Sequence, residues 1–321
     1  MPRQTADAPS SAESDLVQPF MLESSGIRGD LVRLGSVADH IITRHAYPDA
    51  LAALLCEMLA LTAMLSSMMK YDGVFSLQTK GDGPVGLMVA DMTSEGYLRG
   101  YAGFDAAKLE AALAGEDGAP DGARPGVAEL LGTGYLAFTM DQGPDMERYQ
   151  GIVDLSGPAL ADCLQHYFRQ SEQIQTGLIV ASGGARGAWT SAGLILQRVP
   201  GQGAGQGAGP NAPAGPPDED AWRRAMILQA SCTEDELLDP DLPVNDLLYR
   251  LFHEEGVRVF RRRPLDARCS CSRKRLEKTL RAMPRAEIED LKLDGKVIVT
   301  CEFCNRRYRF DGAALDRIYA S

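Results

Sequence analysis

The chain has 321 residues, 45% of them hydrophobic and 7% aromatic, with a net charge of −11, which is stock for a sizeable core and two domains. Charge is unevenly placed: residues 261–321 carry 16 Lys and Arg against 9 Asp and Glu, a net of +7, while 1–260 carry a net of −18. So acidic a body is a poor match for a nucleic-acid binder, because phosphate contacts need clustered cations; the basic tail could bind nucleic acid or lie against the acidic body.

Residues 1–20 begin rich in Ser, Ala, Asp and Pro, and show no apolar segment of the secretory kind; they read as a disordered tail. From 21 to 199 strand-like and helix-like segments alternate. Residues 31–34 read as a strand and 47–69 as a helix with Pro48 in its first turn. The apolar run 51–69 is about long enough to cross a bilayer, but Glu57, Thr62, Ser66 and Ser67 interrupt it. No other segment supports a membrane, so a buried helix is expected. Hairpin signals follow at 74–79 and 85–90 around Gly81-Asp-Gly-Pro84, then at 97–101, 135–140 and 150–155. A helix is expected at 159–169 and two more strands at 176–181 and 188–198, joined by a Ser-Gly-Gly-Ala-Arg-Gly turn. Hairpins with a few helices predict an α+β domain with antiparallel or mixed sheets, not a doubly wound one.

Residues 200–217, PGQGAGQGAGPNAPAGPP, hold almost nothing that could be buried and read as a flexible tether. The segment 218–264 reads as a helical linker, with helices over 219–236 and 242–255. In the second helix Val244, Leu247, Leu248, Leu251 and Phe252 form an apolar stripe opposite Asn245, Asp246 and Arg250. Gly256 fits its C-terminal cap, and 257–260 a short strand.

The last segment, 265–321, carries the strongest chemical signal. Cys269-Ser-Cys271 and Cys301-Glu-Phe-Cys304 are separated by 29 residues, which read as a helix at 272–282, a short helix at 284–291 and a strand at 297–300. Two close pairs returned to one place by a supersecondary unit suit a tetrahedral ion, and four thiolates suit zinc, one ion per chain. The same sulfurs are oxidisable, and a sulfur in a disulfide is no longer a ligand. The residues alone leave open whether such zinc is purely structural. Arg261, Arg262, Arg263, Arg268, Arg273, Lys274 and Arg275 crowd the first pair in sequence, and positive charge favours thiolate over thiol. Small zinc modules draw about 10–16 kcal/mol of apparent folding free energy from the metal, which a segment this short has little core to replace.

The other cysteines carry less. Cys56 and Cys163 fall on helices as packed thiols, and Cys232 implies no role. His40, His45, His166 and His253 form no ligand spacing or triad. Gly183-Gly-Ala-Arg-Gly187 lacks the Lys and Ser/Thr of a phosphate loop and joins two strands, so a turn is expected. No catalytic constellation or nucleotide fingerprint appears, and no enzyme is expected. Unpaired thiols and a metal-like quartet belong in a reducing compartment, so the cytoplasm is expected.

The chain resembles the redox-regulated heat-shock holdase chaperone family, the thirty-three-kilodalton heat-shock protein. The likeness runs over nearly the whole chain from about residue 24. It rests on Cys269-Ser-Cys271-Ser-Arg with Cys301-Glu-Phe-Cys304, and on Tyr167-Phe-Arg-Gln-Ser-Glu-Gln-Ile-Gln-Thr176. Tyr71-Asp-Gly, Lys80-Gly-Asp-Gly-Pro84, Leu98-Arg-Gly-Tyr and Leu248-Tyr-Arg-Leu-Phe-His-Glu-Glu255 add to it. The resemblance implies an ATP-independent chaperone, inactive when reduced and zinc-bound. It implies disulfides Cys269–Cys271 and Cys301–Cys304 on oxidation, loss of zinc, and unfolding of the C-terminal module and linker. Unfolding client proteins would then bind under oxidative stress, and the active form would be a homodimer. Val244, Leu247, Leu248, Leu251 and Phe252 are the candidate client-binding residues, since losing their cover would expose an apolar face.

A zinc-ribbon nucleic-acid binder is the alternative, coloured by Arg306, Arg307, Tyr308, Arg309 and Phe310 but opposed by the acidic body. A thiol oxidoreductase would need an exposed Cys-x-x-Cys at a helix N-terminus, whereas a strand precedes this pair.

Overall fold

The structure, a computed structural model, describes residues 13–114, 125–143, 146–198 and 219–320. The tether read at 200–217 and the first part of the tail, 1–12, lie outside them. In chain order the elements are β1 (Leu16–Leu22), β2 (Ile27–Leu34), α1 (Ser36–Ile42), α2 (Asp49–Met68), β3 (Val74–Gly81), β4 (Val85–Thr93), β5 (Tyr97–Phe104) and α3 (Ala106–Ala114). There follow α4 (Val127–Leu131), β6 (Gly134–Asp141), β7 (Tyr149–Asp154), α5 (Leu160–Gln170), β8 (Thr176–Gly183) and β9 (Thr190–Arg198). The linker region holds α6 (Glu219–Ala230), α7 (Glu234–Leu238), α8 (Val244–Phe252), β10 (Val257–Val259), β11 (Arg263–Pro264) and β12 (Asp266–Ala267). The last stretch is α9 (Arg273–Arg281), α10 (Arg285–Asp290), β13 (Lys296–Thr300), β14 (Arg307–Asp311) and α11 (Gly312–Ala320). Two compact units divide between Ala267 and Arg268.

The first unit is α+β. One sheet runs β10-β1-β2-β9-β8, with β11 beside β1; the other runs β12-β5-β4-β3-β6-β7. All pairings are antiparallel except the short β12–β5 contact, which is parallel. Helix α2 packs on strands of both sheets, and 15 of its 20 residues are buried. A helix enclosed on every side is apolar all round, which is why it matches a membrane span in length and composition alone.

The first sheet is covered on both faces, so its central strands β2 and β9 are nearly continuous in buried residues. Val17, Val32, Leu34 and Ile195 face the α2 side. Their neighbours Leu16, Phe20, Leu31, Leu194 and Leu196 face the other way, into a cluster closed by Leu237, Val244, Leu247, Leu248, Leu251 and Phe252 of the linker.

Two expectations are corrected. Residues 16–20, assigned to the disordered tail, are most of β1, paired with β2 on one side and with β10 and β11 on the other. Leu16, Val17 and Phe20 are buried. The segment holds Pro19 and pairs in part with strands more than 230 residues away, so local pattern hides it. The helix expected over 219–236 is two helices. Thr233 breaks it: its hydroxyl accepts from Glu236 N–H at 3.2 Å, while the Glu236 carboxylate accepts from Thr233 N–H at 3.0 Å, a capping box.

Asp30 of β2 is 4% exposed. Burial pushes its carboxyl up to about 6, against the opposing pull of the Ser67 hydroxyl, Arg263 and Arg28. A raised carboxyl pKa means that the folded state holds its proton longer than the unfolded chain does. The contribution is therefore full below about pH 4 and is lost as pH rises through about 6, amounting to on the order of 3 kcal/mol. Urea unfolding of Asp30→Asn should lack this share of the pH dependence that the parent shows between about pH 4 and pH 7; parallel profiles would contradict the assignment.

The second unit pairs the β13–β14 hairpin with α9, α10 and α11. Its core is Leu280, Ile288, Val297, Phe310, Ala314, Leu315 and Ile318. Seven buried apolar residues make a thin core, of the size that usually needs a staple.

Candidate metal centre

Two turns of the second unit bring four thiols together. Cys269 and Cys271 lie between β12 and α9, whose N-terminus is capped by the Ser272 hydroxyl, accepting from Arg275 N–H at 3.3 Å. The Arg275 side chain reaches back to Ser270 O at 3.2 Å, fixing the Cys-Ser-Cys loop. Cys301 and Cys304 lie in the β13–β14 turn. There Cys301 N–H donates to Arg306 O at 3.0 Å and Asn305 N–H to Cys301 O at 2.8 Å. Asn305 has φ +58°, a left-handed conformation that Asn tolerates.

The four Sγ atoms all lie within 4.8 Å of one another. Cys269 and Cys301 approach to 3.7 Å, and Cys271 and Cys304 to 3.3 Å. Tetrahedral zinc with bonds of about 2.3 Å places its sulfurs about 3.8 Å apart, while a disulfide needs about 2.05 Å. The spacing therefore fits four thiols around one ion and no sulfur–sulfur bond.

The thiols are electrostatically unequal. Burial raises Cys271, but hydrogen bonds from Tyr308 and the other three cysteines outweigh it and hold this thiol at about 7. The Tyr308 hydroxyl lies 3.2 Å from its sulfur. Burial pushes Cys304 up to about 12, and its partner cysteines reinforce the shift; burial also raises Cys301. One thiolate forms near neutrality and its charge opposes the next, so a cation is needed to hold several at once.

The basic run that crowds Cys269 in sequence is divided in space. Arg262 bonds Gln18 and Glu13 of the first unit, at 3.0 and 2.8 Å. Arg263 donates to Ser67 O at 3.0 Å and lies 3.8 Å from Asp30. Arg273 stacks over Phe310 at 4.4 Å and donates to Arg309 O. Arg306, further along, interacts with Tyr308 and, through charge, with Cys271 and Cys304. Cys56 and Cys163 are buried and Cys232 half-buried, outside the quartet.

The stripe Val244, Leu247, Leu248, Leu251 and Phe252 is wholly buried in the first unit, with the rings of Phe20 and Phe252 stacked at 5.7 Å. Polar ties that the sequence did not signal hold this cover. Gln229 Nε2 donates to Leu194 O at 2.8 Å and Gly177 O at 3.2 Å. The Glu255 carboxylate accepts from Arg224 at 2.8 Å and from the Ser24 hydroxyl at 2.8 Å. Glu13 accepts from Val244 N–H at 3.1 Å, meeting one of the donors a helix start leaves free. None follows a spacing rule, because each partner comes from a distant segment.

Comparison with known proteins places this arrangement among the chaperones. The family model described as Hsp33 protein matches residues 15–311. A 33 kDa chaperonin of Caulobacter vibrioides is 39% identical over 302 residues, 92% of this chain and 95% of its own. Another, from Ectopseudomonas mendocina, is 36% identical over 310 residues, 96% of each chain. The crystal structure of a 33 kDa chaperonin from Thermotoga maritima superposes with a TM-score of 0.74 over 95% of this chain and 98% of that one; at 22% identity it shows likeness of fold. The chain belongs to the Hsp33 family.

Proposed function

We propose that this chaperone is a redox-regulated, ATP-independent holdase of the cytoplasm, held inactive by one zinc ion on Cys269, Cys271, Cys301 and Cys304. The observation that carries the reading is the meeting of four thiols within 4.8 Å in a unit whose own core is seven residues. Zinc would supply a charge-neutralising clasp for four thiolates and most of the folding free energy of that unit.

Cys271, held below the usual thiol range by hydrogen bonds from Tyr308 and its neighbouring cysteines despite its burial, can act as a nucleophile towards a peroxide. Its thiolate attacks one peroxide oxygen and becomes a sulfenic acid, and the other oxygen departs as hydroxide, which takes a proton from solvent to become water. A second thiolate then attacks that sulfur, the sulfur–sulfur bond forms, and the sulfenic oxygen leaves as hydroxide, protonated in the same way. The family resemblance puts this bond between Cys269 and Cys271, and a second between Cys301 and Cys304. Each disulfide draws its sulfurs to about 2.05 Å and removes two ligands.

The linker feels this through the chain. Residues 257–267 are zipped to β1 and β5 as β10, β11 and β12, and Cys269 follows two residues after β12. Loss of fold beyond Ala267 removes the anchor at one end of that zipper. Undocking would uncover Val244, Leu247, Leu248, Leu251 and Phe252 together with the sheet face beneath them. Those surfaces would bind unfolding clients and could pair two copies into the oxidised homodimer. No catalytic residue is required. Nucleic acid is left out because Phe310 is buried and Tyr308 is engaged with Cys271, so the basic strand lacks a stacking platform.

Peroxide with mild heat should produce both within-pair disulfides, mapped by mass spectrometry, as suppression of client aggregation begins. Equal suppression by the reduced, zinc-loaded protein would refute the reading.

A further inference from the structure

Arg33, on β2, is 4% exposed and points to the linker side of the sheet. Its Nε–H donates to Leu237 O at 3.1 Å, Nη2–H to Glu236 O at 3.2 Å and Nη1–H to Leu242 O at 2.5 Å. Glu236 and Leu237 are in the last turn of α7, where carbonyls lack helical partners; Leu242 lies two residues before α8. A guanidinium at a helix C-terminus meets those free carbonyls and the negative end of the helix dipole. Asp239 and Glu13 act on Arg33 through charge alone, and among the described residues no carboxylate pairs with it directly.

We infer that Arg33 is the positioning residue that seats the linker on the core and sets how readily it leaves; this rests on the proposed redox switch. All three hydrogen bonds run from core to linker and none to the core itself, so they exist only while the linker is docked. They weight the closed state without being needed by the sheet that carries Arg33, whose ladder bonds are main-chain. The fork also joins the end of one linker helix to the approach of the next, so α7 and α8 dock as one piece. Lysine, a point charge without the fork, reaches these three acceptors less well. When the linker leaves, the guanidinium must find water in place of three fixed carbonyls, a difference the apolar stripe alone does not provide.

The test uses the full-length, reduced, zinc-loaded protein with Arg33→Met, which keeps an apolar stem without donors, and Arg33→Lys. Hydrogen exchange over residues 234–252 should speed up by about 10- to 100-fold in Arg33→Met, with Arg33→Lys between it and the parent. Exchange in α2 and the zinc content should stay at parent values, and client aggregation should be suppressed in part without oxidant. Unchanged linker exchange in Arg33→Met would overturn the inference. So would equal loss of protection in α2 and the linker, which would make Arg33 a general core residue. If the linker opens in Arg33→Met but neither it nor the oxidised parent suppresses aggregation, Arg33 keeps its role and the proposed chaperone switch fails.

Discussion

Cys269→Ser is expected to leave the second unit unfolded under reducing conditions and to make the protein an active holdase without peroxide. A serine hydroxyl stays protonated where a thiol ionises, so three thiolates would be left to hold the ion. The folding contribution at stake is about 10–16 kcal/mol, against a core of Leu280, Ile288, Val297, Phe310, Ala314, Leu315 and Ile318. Amides of 268–320 should lose protection, and bound zinc should fall well below the parent. Cys232→Ser, at a half-buried thiol outside the quartet, should change neither. Switching that stays intact in Cys269→Ser would remove the quartet from the mechanism.

Phe252→Ala is the second large effect. Phe252 is fully buried, and its ring stacks on Phe20 at 5.7 Å. Emptying such a site costs about 3–5 kcal/mol, and the loss falls on the packing of α8 against the sheet. A two-state docking equilibrium would move by at least about 100-fold towards the open form. The reduced variant should therefore show fast exchange over 244–252 and suppress aggregation before oxidation. Tyr249→Ala, on the outer face at 65% exposure, should leave both at parent levels. If Phe252→Ala keeps the parent's slow exchange, α8 is not a releasable cover.

What the sequence revealed and what it hid divide along local and distant order. The stripe of α8 was legible because five apolar residues at helical spacing need one face covered. What covers them was not, since Phe20 and Leu194 come from strands more than 40 residues away in sequence. The quartet was legible because its spacing is itself the signal, and the hairpin turn at Cys301 to Cys304 returns the second pair to the first. The arginine cluster divides on folding: Arg262 and Arg263 turn to Glu13, Gln18 and Asp30, while Arg275 stays at the Cys-Ser-Cys loop through Ser270. β1 reads as tail in the sequence because Pro19 and a partly distant set of partners mask a strand. Arg33 carries no signal of its own within Leu31-Val-Arg-Leu34, because its acceptors are main-chain carbonyls, which leave no trace in sequence. Helices α1, α3 and α4 are short, and strand and turn signals on either side obscure them.

In the proposed switch, the thiol state of the second unit governs the docking of α8 in the first. Hydrogen exchange of residues 244–252, followed in one sample as peroxide converts the four thiols to disulfides, tests it most directly. Protection should be high while the thiols are reduced and fall as the disulfides form, in step with zinc appearing on an indicator and with the onset of client binding. Client binding that begins while 244–252 stay protected would contradict it.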